Sequence, residues 1–111
     1  MEDERRRTPR FPFIANAEIF EKGSAASNPG RVTELSLYGC YVETASTFEK
    51  GVPFLLKVFA EGRFFESQGT VLYVQPGQGM GVGFQNVNPH YLTVLKTWLI
   101  ESARSKFGKQ A

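Results

Sequence analysis

Apolar residues recur at every second position over much of the chain, which is the spacing of half-buried β-strands. In the first such segment, 11–20, five residues share one face: Phe11, Phe13, Ala15, Ala17 and Ile19. Further strands are predicted at 31–36, 40–44, 53–60, 64–74 and 80–84. The glycine-containing segments 49–51, 61–63 and 75–79 separate several of them as turns. Six short strands at this spacing predict a small antiparallel β-barrel or sandwich.

Two stretches between the strands lack this alternation. Residues 21–30 (EKGSAASNPG) are small and polar and are predicted to form a loop. Residues 37–39 are predicted to form a corner between the second and third strands. Residues 1–10 are charged and are expected to form a flexible, arginine-rich arm, with the folded domain at 11–108.

The hydrophobic period changes at Asn88-Pro89, a dipeptide typical of helix starts. A helix is predicted from about 89 to 106, ending near Gly108. Its apolar stripe consists of Tyr91, Leu92, Val94, Leu95, Trp98 and Leu99. The stripe is expected to pack either on the barrel or on a partner.

Composition narrows the function. The 111 residues carry a formal net charge of +2, too small for bulk binding of nucleic-acid polymers. Cys40 and His90 are the single cysteine and histidine, so neither a disulfide nor a cysteine or histidine metal cluster is expected. Cys40 is interpreted as a small core residue and His90 as a surface residue. No combination of residues suits nucleophilic or acid–base catalysis, so we predict a binding protein and no enzyme, with no catalytic residues, metal or cofactor.

The start of the chain does not look like a signal peptide, and the apolar runs are too short to span a membrane. A cytoplasmic protein without membrane insertion is therefore expected. The glycines at 77–83 lack the strand-loop-helix context and the Lys-Ser/Thr ending of a phosphate loop. Gly79, Gly81 and Gly83 instead lie on one strand face, where they are expected to allow tight packing.

Two polar clusters remain as candidate binding residues. Arg6 and Arg10 form an R-x-x-x-R pattern before the first strand, flanked by Arg5 and Arg7. A guanidinium donates to phosphate oxygens and stacks on purine rings. The second cluster is Glu34, Ser36 and Gly39: the carboxylate and hydroxyl lie two residues apart, on one face of a strand, and the glycine permits close backbone approach. Taken alone, the arginines also fit a solvated basic arm, and the second cluster also fits an ordinary strand end with a glycine turn.

Together the two clusters resemble the PilZ domain, a bacterial receptor family for cyclic di-GMP. The family pattern is R-x-x-x-R followed, some twenty to thirty residues later, by [D/N]-x-S-x-x-G. Here the first motif is Arg6-Arg7-Thr8-Pro9-Arg10, and the second is Glu34-Leu35-Ser36-Leu37-Tyr38-Gly39. The G-x-G-F stretch at 81–84 and the closing helix are also similar to the family. Glu34 departs from the pattern, since the family has Asp or Asn there.

The resemblance implies a six-stranded antiparallel barrel with a C-terminal α-helix. It implies that Arg6 and Arg10 hold phosphates and stack on guanine, that Ser36 donates to a phosphate or base, and that Gly39 leaves room for the ligand. Arg5 and Arg7 are expected to add contacts. The carboxylate of Glu34 is expected to accept from guanine, with its extra methylene weakening but not abolishing binding.

The function implied is a cyclic di-GMP receptor that orders its N-terminal arm on binding and relays the signal to an unidentified protein partner. One alternative is a degenerate PilZ-like interaction module that binds no nucleotide and uses its aromatic residues and the stripe around Trp98. Another is a small barrel that binds single-stranded nucleic acid through arginine and aromatic residues.

Overall fold

A computed structural model describes the backbone of residues 8–108 and the side chains of residues 8–104. Six strands form a closed antiparallel barrel in the order β1-β2-β3-β6-β5-β4, followed by one helix. The elements are β1 Phe11–Glu21, β2 Ser27–Leu35, β3 Gly39–Glu43, β4 Pro53–Ala60, β5 Arg63–Gln75, β6 Gly79–Gln85 and α1 Pro89–Gly108. The expected all-β barrel with a C-terminal helix is confirmed. Arg5, Arg6 and Arg7 lie outside the described residues.

The alternating pattern predicts β1 correctly. Phe13, Ala15, Ala17 and Ile19 are buried, and the residues between them are exposed or half-buried. These apolar side chains fill the barrel together with their counterparts from the other strands, of which Val32, Val42, Leu56, Val58, Phe65, Val71, Met80 and Val82 are fully buried. Removing this apolar area from water is the main force that closes the barrel.

The predicted loop at 21–30 is wrong over half of its length. β1 extends to Glu21 and β2 begins at Ser27, so only residues 22–26 connect the two strands. Residues 27–30 pair with β1 alone, because pairing with β3 begins at Arg31. On its other side this segment has no strand partner, so the missing N–H of Pro29 breaks no ladder there, and the Pro29 carbonyl accepts from the Thr44 hydroxyl at 3.0 Å. This half of β2 thus forms through backbone pairing with β1, although its side chains show no apolar alternation.

Glycine in the left-handed region supports the predicted turns. The β4–β5 hairpin has Ala60 opposite Arg63, with Glu61 at φ 54° and Gly62 at φ 73° between them. Two positive φ angles in a two-residue loop are typical of a type I′ turn, whose twist matches the flanking strands.

Helix α1 begins as the sequence predicts. The side-chain Oδ1 of Asn88 accepts from the backbone N–H of His90 at 2.8 Å, and Pro89 is the first helical residue. Leu95 and Trp98 are fully buried, and Trp98 contacts Phe13 and Phe65. The stripe centred on Trp98 therefore packs on the barrel, and its members Leu95 and Trp98 are inaccessible to a partner. No helix within residues 8–108 is both long enough and apolar enough to cross a membrane.

Candidate functional site

The strand register brings the end of the arm to the corner between β2 and β3. Phe11 pairs with Leu35 and Pro12 pairs with Glu34. Arg10 immediately precedes β1, and its Nη1 lies 3.7 Å from Oε1 of Glu34. About half of each side chain is exposed, at 49% and 46%. Arg10, the last residue of the first motif, thus meets Glu34, the first residue of the second motif, although 24 positions separate them along the chain.

Ser36 organises the corner. Its hydroxyl donates to the carbonyl oxygen of Gly39 at 3.2 Å and accepts from the backbone N–H groups of Tyr38 and Gly39 at 3.3 and 3.2 Å. The backbone N–H of Ser36 also donates to the Gly39 carbonyl at 2.9 Å. Strand β2 ends at Leu35, so the Ser36 side chain turns into the corner and is only 6% exposed. Ser36 and Glu34 still border the same pocket.

Gly39 is required by the neighbouring strand. A Cβ atom at this position would lie 2.1 Å from the carbonyl oxygen of Val82, a contact that no side-chain movement relieves. The N–H of Phe84 donates to the Tyr38 carbonyl at 2.8 Å, which ties the corner to β6. The close approach at Gly39 is therefore first a contact between strands, and its expected role of leaving room for a ligand stays a prediction.

A pocket opens beside this corner across strands β3 and β6, and we call it the Arg10 pocket. Arg10, Glu34, Ser36, Tyr38, Gly39 and Tyr41 line it from one side, and Leu72, Tyr73, Gly81 and Val82 line it from the other. Of the candidate residues among 8–104, the structure brings together Arg10, Glu34, Ser36 and Gly39. Sequence analysis did not identify the aromatic and aliphatic members Tyr38, Tyr41, Leu72 and Tyr73 as site residues.

The glycines of β6 give the signal that leads to two of these residues. A Cβ on Gly81 would lie 2.0 Å from the ring of Tyr73, and one on Gly79 would lie 2.7 Å from the hydroxyl oxygen of Tyr41. The prediction that these glycines permit tight packing is confirmed, and the groups packed there are side chains of the barrel wall and, at Gly79, also the carbonyl oxygen of Val42 at 2.4 Å. Two glycines on the outer face of one strand therefore indicate that large side chains from the neighbouring strands lie over that face.

Two residues that line the pocket, Cys40 and Tyr41, have raised pKa values. Burial raises the pKa of the Cys40 thiol to about 12, so the thiol stays protonated. The pKa of Tyr41 is raised, first by desolvation and then by the nearby Tyr73 and Glu43. Tyr41 therefore remains a phenol, and its hydroxyl donates to the side-chain oxygen of Gln75. Among the described side chains, no three His, Cys, Asp or Glu residues lie close enough together to hold a metal ion.

Several solved protein structures have a fold similar to that of this chain. The PilZ domain of YcgR from Escherichia coli, solved with c-di-GMP, superposes with a TM-score of 0.74 at 17% identity, covering 96% of this chain and 97% of that one. The PilZ domain of CeSA from a cellulose-synthesizing bacterium gives a TM-score of 0.63 at 15% identity, with 93% and 99% coverage. The Bacillus subtilis inhibitor of motility MotI/DgrA gives 0.75 at 15% identity, and 54% of its chain is covered.

Identities this low show a shared fold alone. Comparison with curated protein sequences gave no significant match. The family sequence model described as "PilZ domain", however, matches residues 4–101, a range that includes both motifs and reaches well into the helix. The chain therefore belongs to the PilZ domain family.

Proposed function

We propose that this protein is a receptor for cyclic di-GMP that binds the nucleotide at the Arg10 pocket. The observation that carries the proposal is the contact of Arg10 with Glu34 beside the corner formed by Ser36 and Gly39. A cation and a hydrogen-bonding carboxylate are thus adjacent on the barrel surface, as recognition of a phosphorylated guanine requires. The structural likeness to the YcgR PilZ domain with c-di-GMP supports the same ligand.

Each candidate residue has a role in this proposal. Arg10 exchanges its exposed ion pair with Glu34 for a ligand phosphate, and Arg6 holds a second phosphate or stacks on guanine. Glu34 accepts from the guanine N–H groups. Ser36 keeps the corner rigid, and to donate to the ligand its hydroxyl turns away from the Gly39 carbonyl that it contacts in this structure. Gly39 leaves the approach open. Arg5 and Arg7 add contacts from the arm.

The signal in this proposal is the ordering of residues 1–10 over the pocket. Disorder-to-order transitions of a segment are a common way for a small ligand to change a protein surface. The ordered arm then presents a surface that a downstream protein partner recognises. Amide hydrogen exchange of residues 1–12 tests this step: added cyclic di-GMP should slow exchange there, and unchanged exchange at saturation would contradict arm ordering.

Ligand binding itself is tested by calorimetric titration with cyclic di-GMP. The chain offers a matched control, because Arg63 pairs with Glu101 at 3.9 Å with 45% and 47% exposure, much like Arg10 and Glu34. Arg10→Ala should weaken binding by roughly tenfold or more, since a hydrogen bond to a charged group contributes about 1.5–3 kcal/mol. Arg63→Ala should bind like the wild type.

Two results would contradict the receptor proposal. One is a wild-type protein that gives no binding heat, which would favour the nucleotide-independent interaction module. The other is an equal loss of affinity in Arg10→Ala and Arg63→Ala, which would indicate a general charge effect. Arg6→Ala, measured in the same series, tests the arm residue that the family pattern implicates.

A further inference from the structure

The outer surface of the barrel around β4 carries apolar side chains that the Arg10 pocket does not use. Among the described side chains, five large apolar ones are exposed, and two of them, Tyr38 and Tyr73, line that pocket. Phe59 is 39% exposed and lies on β4, a strand that contributes no residue to the pocket. A single exposed apolar residue is ordinary, but Phe59 belongs to a larger patch.

This patch consists of three rows of residues that cross β1, β4 and β5, and we call it the β4 face. Burial alternates along each of the three strands, so the residues of the rows point away from the core. The first row is Asn16, Phe59 and Phe64, the second is Glu18, Lys57 and Glu66, and the third is Phe20, Leu55 and Gln68. Apolar residues thus lie on both sides of a central row of charges.

Ring contacts hold the first row in place. The ring centroids of Phe59 and Phe64 are 5.1 Å apart with an interplanar angle of 40°. Phe64 also meets Tyr91 of helix α1 edge-on, at 5.6 Å between centroids. The helix therefore supports Phe64, and Phe59 extends the aromatic surface into solvent. Side chains that are held in this way lose little conformational entropy when a partner covers them.

Lys57 is fixed at the centre of the charged row. Its Nζ lies 4.0 Å from Oε1 of Glu66, and 4.9 and 5.9 Å from the ring centroids of Phe20 and Phe64. The side chains of Lys57 and Glu66 are 31% and 34% exposed, so both charges can still be reached from outside. A cation and an anion side by side in an apolar surface are complementary in charge to a second copy of the same surface.

The order of these residues satisfies the requirement of two-fold symmetry. A two-fold dimer uses the same patch on both subunits, so the patch must be complementary to itself. An axis that runs between β4 and β5, parallel to the strands, places each of these strands opposite the other one in the second copy. Lys57 then faces Glu66 of the partner subunit, and Phe59 faces Phe64 of the partner subunit. No like charges of this pair meet.

We propose that the β4 face binds the β4 face of a second copy of this chain, in a two-fold dimer with Lys57 and Glu66 paired across the interface. No residue of the three rows lines the Arg10 pocket, so both pockets stay accessible in the dimer. Three strands about 4.8 Å apart give a face about 14 Å wide. This is smaller than a standard interface of roughly 800 Å² per partner, so the dimer is weak and dissociates on dilution.

Sedimentation velocity of the full chain, from roughly 10 µM to 1 mM, tests the dimer at the concentrations that a weak interface requires. The wild type should show a dimer whose fraction rises with concentration. Phe59→Ser should weaken association by roughly fivefold or more, because truncating a central aromatic residue commonly costs an interface that much. Ile100→Ser is the matched control, since Ile100 is 55% exposed but lies on helix α1.

Charge reversal distinguishes the proposed pairing from a general apolar association. Lys57→Glu alone and Glu66→Lys alone each bring like charges together across the interface, so each should weaken the dimer by roughly tenfold or more. An equimolar mixture of the two variants joins a doubly acidic face to a doubly basic one and should dimerise again. Arg63→Glu and Glu101→Arg reverse a similarly exposed pair outside the three rows, and both should dimerise like the wild type.

Three results would overturn the dimer. The first is a wild type that stays monomeric up to about 1 mM. The second is a dimer of unchanged affinity in Phe59→Ser, which would locate the contact on another surface. The third is a mixture of the two charge variants that associates no better than either alone, although circular dichroism shows both to be folded. None of these results bears on cyclic di-GMP binding, which the calorimetric titration measures separately.

Discussion

Phe13 lies against Trp98, with ring centroids 5.1 Å apart and the ring planes tilted by 39°. Phe13 follows Arg10 by three residues at the start of β1, and Trp98 is the fully buried centre of the helix stripe. The strand that leads out of the pocket and the helix that packs on the barrel therefore share a direct aromatic contact. A ligand that moves the start of β1 should therefore change the environment of the Trp98 indole.

We expect cyclic di-GMP binding to change the fluorescence of Trp98. It is the single tryptophan of the chain, so the emission reports one site. Fluorescence titration should give the same dissociation constant as calorimetry. Arg10→Ala, at the same nucleotide concentrations, has the same absorption of light by guanine, and its binding curve should lie at roughly tenfold or more higher nucleotide concentration. Identical emission changes in both proteins would show that the start of β1 does not couple to the helix.

The residue that departs from the family pattern gives the second prediction. Glu34 reaches Arg10, and a ligand phosphate must replace that ion pair. Glu34→Asp shortens the side chain by one methylene and should loosen the pair. Exposed ion pairs contribute at most about 1 kcal/mol, so affinity for cyclic di-GMP should rise by up to about fivefold.

The control for this change is Glu101→Asp in the Arg63 pair, which should leave affinity unchanged. Titrations at several salt concentrations add a second readout, since the gain from Glu34→Asp should shrink as salt screens the pair. A tenfold loss of affinity in Glu34→Asp would contradict the prediction and show that the longer carboxylate makes a ligand contact that Asp does not reach.

The third prediction concerns two glycines that are direct cross-strand partners, Gly39 on β3 and Gly83 on β6. Neither has a positive φ angle. A methyl group at Gly39 meets the Val82 carbonyl at 2.1 Å, whereas one at Gly83 meets the flexible side chain of Leu72 at 3.3 Å. Overpacking against backbone costs about 1–3 kcal/mol, so Gly39→Ala should destabilise the protein by that amount.

Gly83→Ala should stay within about 1 kcal/mol of the wild type, because the reduced entropy of the unfolded chain offsets a small adjustment of Leu72. Urea unfolding of both variants checks the pair. Equal unfolding free energies of the two variants would show that β3 and β6 move apart at little cost. The barrel would then not require glycine at position 39, and ligand binding would be the remaining reason for it.

Local patterns predicted most of the fold because local physics determines it. Alternation gave the buried face of β1, and Asn88-Pro89 gave the helix start. Residues 27–30 were missed because they pair through backbone groups on one side alone, without an apolar face. Tyr73 was missed as a site residue because the register shift after Val71 breaks the alternation, and its neighbours Tyr41 and Gly81 come from other strands.

The site was predicted to the extent that it lies in contiguous motifs. Arg10, Glu34 and Ser36 were found from spacing, and their meeting depends on the β1–β2 register, which pairs Pro12 with Glu34. The detailed role of Ser36 was not visible in the sequence. Three hydrogen bonds within the corner involve its hydroxyl, and the sequence shows only that a hydroxyl is present.

The last prediction uses the buried thiol of Cys40, whose pKa is raised by desolvation from 9.0 to about 12. Below pH 9 the thiol is protonated in both the folded and the unfolded protein, so it adds no pH dependence. Above pH 9 it ionises in the unfolded chain alone, and folding stability falls until about pH 12. Between pH 8 and pH 10 the wild type should lose about 1 kcal/mol more unfolding free energy than Cys40→Ala. Tyrosines and lysines titrate in both proteins and cancel in the difference. If the unfolding free energies of the two proteins change equally between pH 8 and pH 10, that result would contradict the burial of the Cys40 thiol.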